Sequence, residues 1–300
     1  MTVVPAQAPR GAAPPNHLSP DALRLRPGPG GDVSVNPAAA GWRYLSFRTA
    51  VLSFGETLPV EAPGQEAAIV TLAGGLRIDL DGHDPIELPG RASVWEGLPW
   101  AVYLPPDVRA RITPLGERAD VALAEAPSSG RDGLAQAPVV IGPSDVTVEI
   151  RGAGNATRQI NSIIAPGFPA DRLEVVEVYT PSGNWSSWPP HKHDTDAMPG
   201  EAVLEEIYAY RFRRPEGWGV QRLYRADGSR DALWAVRNGE VVLVTDGYHP
   251  FVATHGDDAY YLNALAGDRR TMACSYDPAL DAVREAWASM DPDPRLPLVR

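Results

Sequence analysis

Hydrophobic and polar residues alternate with a period of two through much of this chain. In "LRIDLDG", Leu76, Ile78 and Leu80 alternate with Arg77, Asp79 and Asp81, the pattern of a strand with one face buried. Asp81-Gly82 closes it with a hairpin signal. "AAIVTLAGG" and "WAVYLPP" predict further short strands, each ended by Gly or Pro. The second half repeats the texture: "RLEVVEVYTPSGN", "EEIYAYRF", "GVQRLYRADG", "GEVVLVTDGYHPFV" and "DDAYYLNALAG" follow at short intervals. Many short strands with little helical periodicity predict a sandwich or barrel, and two β-rich halves of similar length predict two barrels.

Helical spacing shows only near the end. Asp277 is a suitable N-cap and Pro278 suits the first turn. Leu280, Val283, Trp287 and Met290 then share one face, and Pro292 and Pro294 stop the helix. Before the first strands, residues 1–33 are rich in Pro, Ala and Gly, a composition that resists regular structure. The expected plan is therefore a loose tail (1–33), a first barrel (34–146), a second barrel (147–277), and a C-terminal helix and tail (278–300).

Composition narrows the function. The 300 residues are 44% hydrophobic and 22% charged, enough for a sizeable core. The formal net charge of -11 speaks against nucleic acid as a partner, though local arginines can still grip an anionic substrate. A single cysteine, Cys274, permits no internal disulfide. No apolar run reaches membrane-spanning length and no secretory signal is visible, so a cytoplasmic protein is expected.

Chemistry concentrates around His191 and His193. Only six histidines occur in the chain, and these two lie a residue apart after Pro189-Pro190. Proline favours an extended approach, so both imidazoles project to one side and Lys192 to the other. A metal needs further ligands. Glu206 heads a strand on which Tyr208, Tyr210 and Phe212 share its face, while Glu205, Ile207, Ala209 and Arg211 share the other. Periodicity leaves open which face looks inward. His249 is the better fourth ligand and His255 its competitor. Three histidines and a carboxylate would suit zinc, manganese, iron(II) or nickel. His17 and His83, in the first half, have no paired spacing, and no metal is expected there.

"GNWSSWPPHKHD", "LEEIYAYRF", "VVLVTDGYHPF" and "DAYYLNALAG" together resemble the 5-deoxy-glucuronate isomerase family of inositol catabolism, within the cupin superfamily. "RGAGNATRQI", "ADRLEVVEVYTP" and "GVQRLYRADGS" fit the same family, and the resemblance spans roughly residues 42–278. It implies an all-β bicupin and the ligand set His191, His193, Glu206 and His249, with zinc the first choice of ion and manganese the second. The related pectin-catabolic uronate isomerases, which carry their ligand Glu before an aliphatic-Tyr pair, select Glu206 over Glu205. Glu206 stands thirteen positions after His193, so "DTDAMPGEAVLE" must bulge out. His255 falls where the family does not usually carry a histidine.

The resemblance also implies isomerisation of 5-deoxy-D-glucuronate, a small sugar acid, to 5-dehydro-2-deoxy-D-gluconate. Tyr210, Tyr208 and Lys192 are candidate catalytic groups for moving the proton, with Tyr210 ranked first. Arg211 and Arg222 are candidates for the substrate carboxylate. Gln221 and Tyr224 are candidates for further contacts, and Trp185 and Trp188 could stack on the sugar. The family also implies a homodimer or larger assembly. The alternatives are a related uronate ketol-isomerase, a cupin oxygenase, or a bicupin that binds a sugar acid without turnover.

Overall fold

The computed structural model describes residues 17–61 and 63–300. The first sixteen residues of the expected tail lie outside the described residues.

The first half folds around one long strand, Gln65–Leu80, which pairs with Ala101–Leu104 and Arg118–Pro127 in its first part and with Ile86–Arg91 and Ala110–Pro114 in its second. The strand passes between two surfaces near Gly74-Gly75: its register shifts between Thr71 and Ala73 against Arg118–Pro127, and between Gly74 and Leu76 against Ile86–Arg91. Glycine is required there: a Cβ on Gly90 (φ +70°) would stand 1.8 Å from the Gly74 carbonyl oxygen. Ile69, Leu76, Ile78, Ile112 and Leu123 fill the enclosed space.

The second half is a seven-stranded antiparallel sheet facing a four-stranded one. The large sheet runs Arg24–Leu25, Val241–Val244, Glu205–Phe212, Ala259–Ala266, Leu173–Thr180, Arg158–Ile164, Thr147–Arg151. The small sheet runs Trp185–Ser186, Phe251–Ala253, Trp218–Tyr224, Asp231–Arg237. The fold is therefore all-β, with two barrels in series.

The barrels share a core. One apolar cluster includes Phe47, Ala68 and Tyr103 of the first and Tyr179, Ile207 and Tyr260 of the second. Polar groups cross the same seam. Glu66, fully buried, accepts from the Tyr103 hydroxyl (2.7 Å) and from the backbone amides of Asp171, Arg172 and Leu173 (2.7, 2.6 and 2.8 Å). Arg91 of the first barrel meets Glu177 of the second, both sealed from water.

The described part of the N-terminal segment and the C-terminal residues are tied more closely than composition suggested. Arg24–Leu25 adds an edge strand to the second barrel beside Val241, and Val33–Val35 pairs with Ser46–Ser53, because Leu23, Val33 and Val35 are apolar and buried. At the other end Asp277 caps a 3-10 turn, Pro278–Leu280, which leads into a short helix, Asp281–Ala286, and a second 3-10 turn, Trp287–Ser289. Its expected apolar face is only partly covered, with Met290 47% exposed. The last residues return to the sheet, where Gln159 accepts from the amides of Leu298 and Val299 and donates to the Val299 carbonyl. Among the described residues no helix is long and apolar enough to cross a membrane.

Candidate metal centre

Strand alternation sorts the two adjacent glutamates. Glu205 points out of the barrel and accepts from the backbone amides of Arg43, Tyr44 and Leu45 at 2.6, 2.9 and 2.8 Å. Glu206 points inward and is 4% exposed. The sequence left the inward face open; the anion nest offered by residues 43–45 settles it.

His193 reaches Glu206 through a clasp. Its backbone carbonyl accepts from the Leu204 amide (3.0 Å) and its ring Nδ1 donates to the Leu204 carbonyl (2.9 Å). The intervening residues loop out as expected. Glu201 pins them, taking the amides of Asp194 and Thr195 (both 2.8 Å) and the Lys192 ammonium (2.8 and 3.0 Å). Lys192 also contacts Asp194 at 2.7 Å. The loop that lengthens the spacing is thus what brings His193 and Glu206 together.

His249 enters from the opposite sheet. Its Nδ1 donates to the Gly247 carbonyl at 3.0 Å, and its backbone carbonyl accepts from the Gln221 amide at 2.8 Å. Both imidazoles therefore spend their Nδ1 hydrogen on a carbonyl and present an Nε2 lone pair inward. Both lone pairs face the same oxygen: Glu206 Oε2 lies 2.8 Å from His193 Nε2 and 3.4 Å from His249 Nε2. His249 Nε2 is buried without a hydrogen-bond partner. Lone pairs directed at a carboxylate oxygen repel it unless a proton, as in the 2.8 Å contact from His193, or a bound cation stands among them. The three ligand atoms lie within 4.8 Å of one another, which fits a divalent metal.

His191 stands beside this trio. Its ring centroid is 4.6 Å from that of His249 and 6.3 Å from that of His193. It lies opposite Tyr276 in a two-residue ladder. Burial, reinforced by the neighbouring imidazoles, holds His191 well below the ordinary histidine pKa, and burial lowers His249 to about 4. Both rings are neutral at pH 7, the form that binds metal. For His193, burial opposes protonation, but the Glu206 carboxylate outweighs it and raises the pKa. A metal in the centre would take that proton's place.

The other sequence candidates are distributed differently. Tyr208 and Tyr210 are fully buried. The Tyr208 hydroxyl bonds Ser187 at 2.7 Å, and the Tyr210 hydroxyl donates to Gln221. Gln221 is itself fully buried, so Tyr210 and Gln221 form a chain that ends on the His249 backbone. Arg211 lies on the outward face with Glu205, and donates to the Tyr210 carbonyl. Arg222 binds Asp231 with two contacts of 2.8 Å and stacks on Tyr224, whose hydroxyl donates to Asp277. Arg222 and Tyr224, with Trp185 and Trp188, line a separate hollow of about 160 Å³.

The cavity beside His193 and Glu206 is lined instead by Arg151, Arg158, His191, Met272, Cys274 and Tyr276, together with those two residues. A hollow of about 340 Å³ between residues 41–44 and 266–269 shares His193 and Leu204 with it. Sequence reading took none of Arg151, Arg158, Met272, Cys274 or Tyr276 as a site residue. The pairing of His191–Lys192 with Ser275–Tyr276 brings the last three in from more than eighty positions away.

Glu174 shares a cross-strand row with Leu265 and Glu206, and so faces the barrel interior. It is 1% exposed, and neither carboxylate oxygen has a hydrogen-bond partner. Burial pushes its pKa up to about 7 from the ordinary 4.5. Ionising it costs folding free energy, a cost absent below pH 4.5 and fully present above pH 7. Glu174→Gln should therefore stabilise the protein by about 3 kcal/mol at pH 8 and very little at pH 4.5. Thermal melts across that range check this, and an equal effect at both ends would refute it.

An antiparallel double barrel with buried polar ligands is the architecture of the cupins. Oxalate decarboxylase from Lactobacillus farciminis shares the fold, with a TM-score of 0.59 over 87% of this chain and 90% of that one at 12% identity. The KduI/IolB family matches residues 22–283. An IolB-like protein from Salmonella typhimurium LT2 superposes with a TM-score of 0.82 at 33% identity, covering 87% of this chain and 99% of that one. The protein named 5-deoxy-glucuronate isomerase from Geobacillus kaustophilus (strain HTA426) is 43% identical over 260 residues, 86% of this chain and 92% of its own length. Its namesake from Listeria monocytogenes is 34% identical over 257 residues, covering 85% and 93%. The chain belongs to the KduI/IolB family.

Proposed function

We propose that this protein is a 5-deoxy-glucuronate isomerase, an aldose–ketose isomerase that acts on open-chain 5-deoxy-D-glucuronate. The observation that carries this reading is the convergence of His193 Nε2, His249 Nε2 and Glu206 Oε2 on one buried point. The relatives that share most of the chain bear that name. His193, Glu206 and His249 would hold a divalent metal, with His191 at the cavity side as the fourth ligand; zinc is the first choice and manganese the second. When bound, the metal supplies Lewis acidity that polarises a carbonyl oxygen and stabilises developing negative charge.

The reaction moves hydrogen without net oxidation. A proton leaves the carbon next to the aldehyde, an enediolate forms, and a proton returns to the former aldehyde carbon. The hydroxyl proton of the second carbon is lost as the new ketone forms, and the old aldehyde oxygen gains one. The chain's own part is to fix this geometry. Leu204 and Gly247 lock the two imidazoles by their Nδ1 hydrogens. Gln221, held by Tyr210, fixes the His249 backbone. Lys192, engaged by Glu201 and Asp194, anchors the loop after His193. Tyr210 and Lys192 thus serve as positioning residues. Tyr208 keeps its candidacy for the proton, with its ring 5.9 Å from that of His249.

Proton NMR of 5-deoxy-D-glucuronate with metal-loaded protein in deuterated water tests the proposal. Appearance of the ketose 5-dehydro-2-deoxy-D-gluconate is expected. Unchanged substrate in the presence of bound metal would overturn it.

A further inference from the structure

We infer that Arg158 binds the carboxylate of the substrate and sets the preference for a sugar acid over a neutral sugar. The inference rests on the isomerase reading for the identity of the sugar, but its own evidence is the arginine. Arg158 opens the strand Arg158–Ile164 and is 6% exposed. It lines the cavity that holds His191, His193 and Glu206.

Its guanidinium makes no ion pair with any of the described residues. Among the described residues no carboxylate lies within 4.0 Å of its guanidinium. Its hydrogen bonds run from Nη1 alone, to the carbonyls of Ala156 and Trp188, each at 3.3 Å. Nε and Nη2 are left for another acceptor. The other cavity arginine differs: Arg151, directly across the ladder, is held by Glu149 at 2.9 and 2.7 Å. Glu206 is committed to the imidazoles.

A buried cation without a partner is costly, and folding alone gives no reason to keep one. A ligand carboxylate removes that cost. A guanidinium offers a planar pair of donors that a carboxylate accepts with both oxygens, and burial strengthens the bond. Arg211 and Arg222, the arginines nearest the metal ligands in sequence, do not stand here. Arg211 faces away from the barrel interior, and Arg222 is paired with Asp231.

The test uses two probes of one shape and different charge, D-glucuronate and its neutral amide D-glucuronamide. Their affinities for metal-loaded protein are measured by isothermal titration calorimetry, with wild type, Arg158→Met and Arg158→Lys. Wild type should prefer the acid by roughly 10- to 100-fold. Arg158→Met should lose that preference while binding the amide as before and retaining its metal. Arg158→Lys keeps the charge without the paired geometry and should fall between. It also keeps the variant series informative if the methionine protein does not fold.

An undiminished acid preference in either variant would overturn the inference, as would a wild type that binds both probes equally. The isomerase reading fails separately, through absence of ketose from 5-deoxy-D-glucuronate with wild type. An Arg158-dependent preference for the acid would still stand in that case.

Discussion

Replacing His193 and His249 together by alanine should abolish metal retention and reduce isomerase turnover by roughly a thousandfold or more, while the barrels stay folded. The two imidazoles supply two of the three atoms that meet at the centre. Neither ring carries apolar core packing in the way Tyr210 or Phe251 does. Glu206 and His191, the two ligands left, are too few to hold a divalent ion against dialysis. Bound metal is measured by elemental analysis after dialysis, turnover by the NMR assay, and folding by circular dichroism. A double variant that keeps both metal and turnover would remove the basis for the proposed chemistry. Single replacement of His191, which stands beside the trio, should weaken metal binding less than loss of either of the other two.

Arg91→Met should destabilise the protein by about 3–5 kcal/mol, because it strands the Glu177 carboxylate in the seam between the barrels. The two side chains are 2% and 0% exposed. Glu177 also accepts from the Tyr260 hydroxyl at 2.8 Å, and Arg91 from its other side donates to the Gly97 carbonyl at 3.2 Å. Removing only the cation leaves a buried charge with neutral donors alone, the hydroxyls of Tyr260 and Tyr179 and the Asn161 amide. The companion variant Arg91→Met with Glu177→Leu should recover most of the loss, since an apolar pair of similar size carries no desolvation cost. Denaturant unfolding of the three proteins measures both steps. A single variant within about 1 kcal/mol of wild type would show that the seam does not depend on this pair.

Much of the second barrel was legible in the sequence. "EEIYAYRF" was marked as a strand and forms in full, and "RLEVVEVYTPSGN", read as a strand running into a turn, forms one over Leu173–Thr180. Alternation also grouped Glu206 with Tyr208 and Tyr210, and all three point into the barrel. The long spacing from His193 to Glu206 announced a loop. What alternation lacks is a sign: it separates two faces without saying which is inside. That sign came from the amides of residues 43–45, which take Glu205 outward from another part of the chain.

The substrate side of the cavity was not legible. Nearness in sequence suggested Arg211 and Arg222, but side chains one residue apart on a strand face opposite ways, and Arg222 meets its aspartate across a hairpin. Arg158 carries no local signal that separates it from any arginine beginning a strand. Its lack of a carboxylate partner is a property of its surroundings. The N-terminal segment misled in a related way. Its Pro and Gly content argued for looseness, yet Arg24–Leu25 completes a sheet edge that no local pattern announces.

By itself, then, the sequence determined the strand texture, the two-barrel plan, the extended histidine pair and the candidate metal-ligating residue types, because each depends on backbone preferences and side-chain chemistry within a few residues. Only the tertiary structure decided which lone pairs converge, which of the two arginines lining the cavity makes no ion pair among the described residues, and how the barrels are locked together. Those properties depend on distances between groups from separate strands, and strand pairing sets such distances only once the whole sheet has closed.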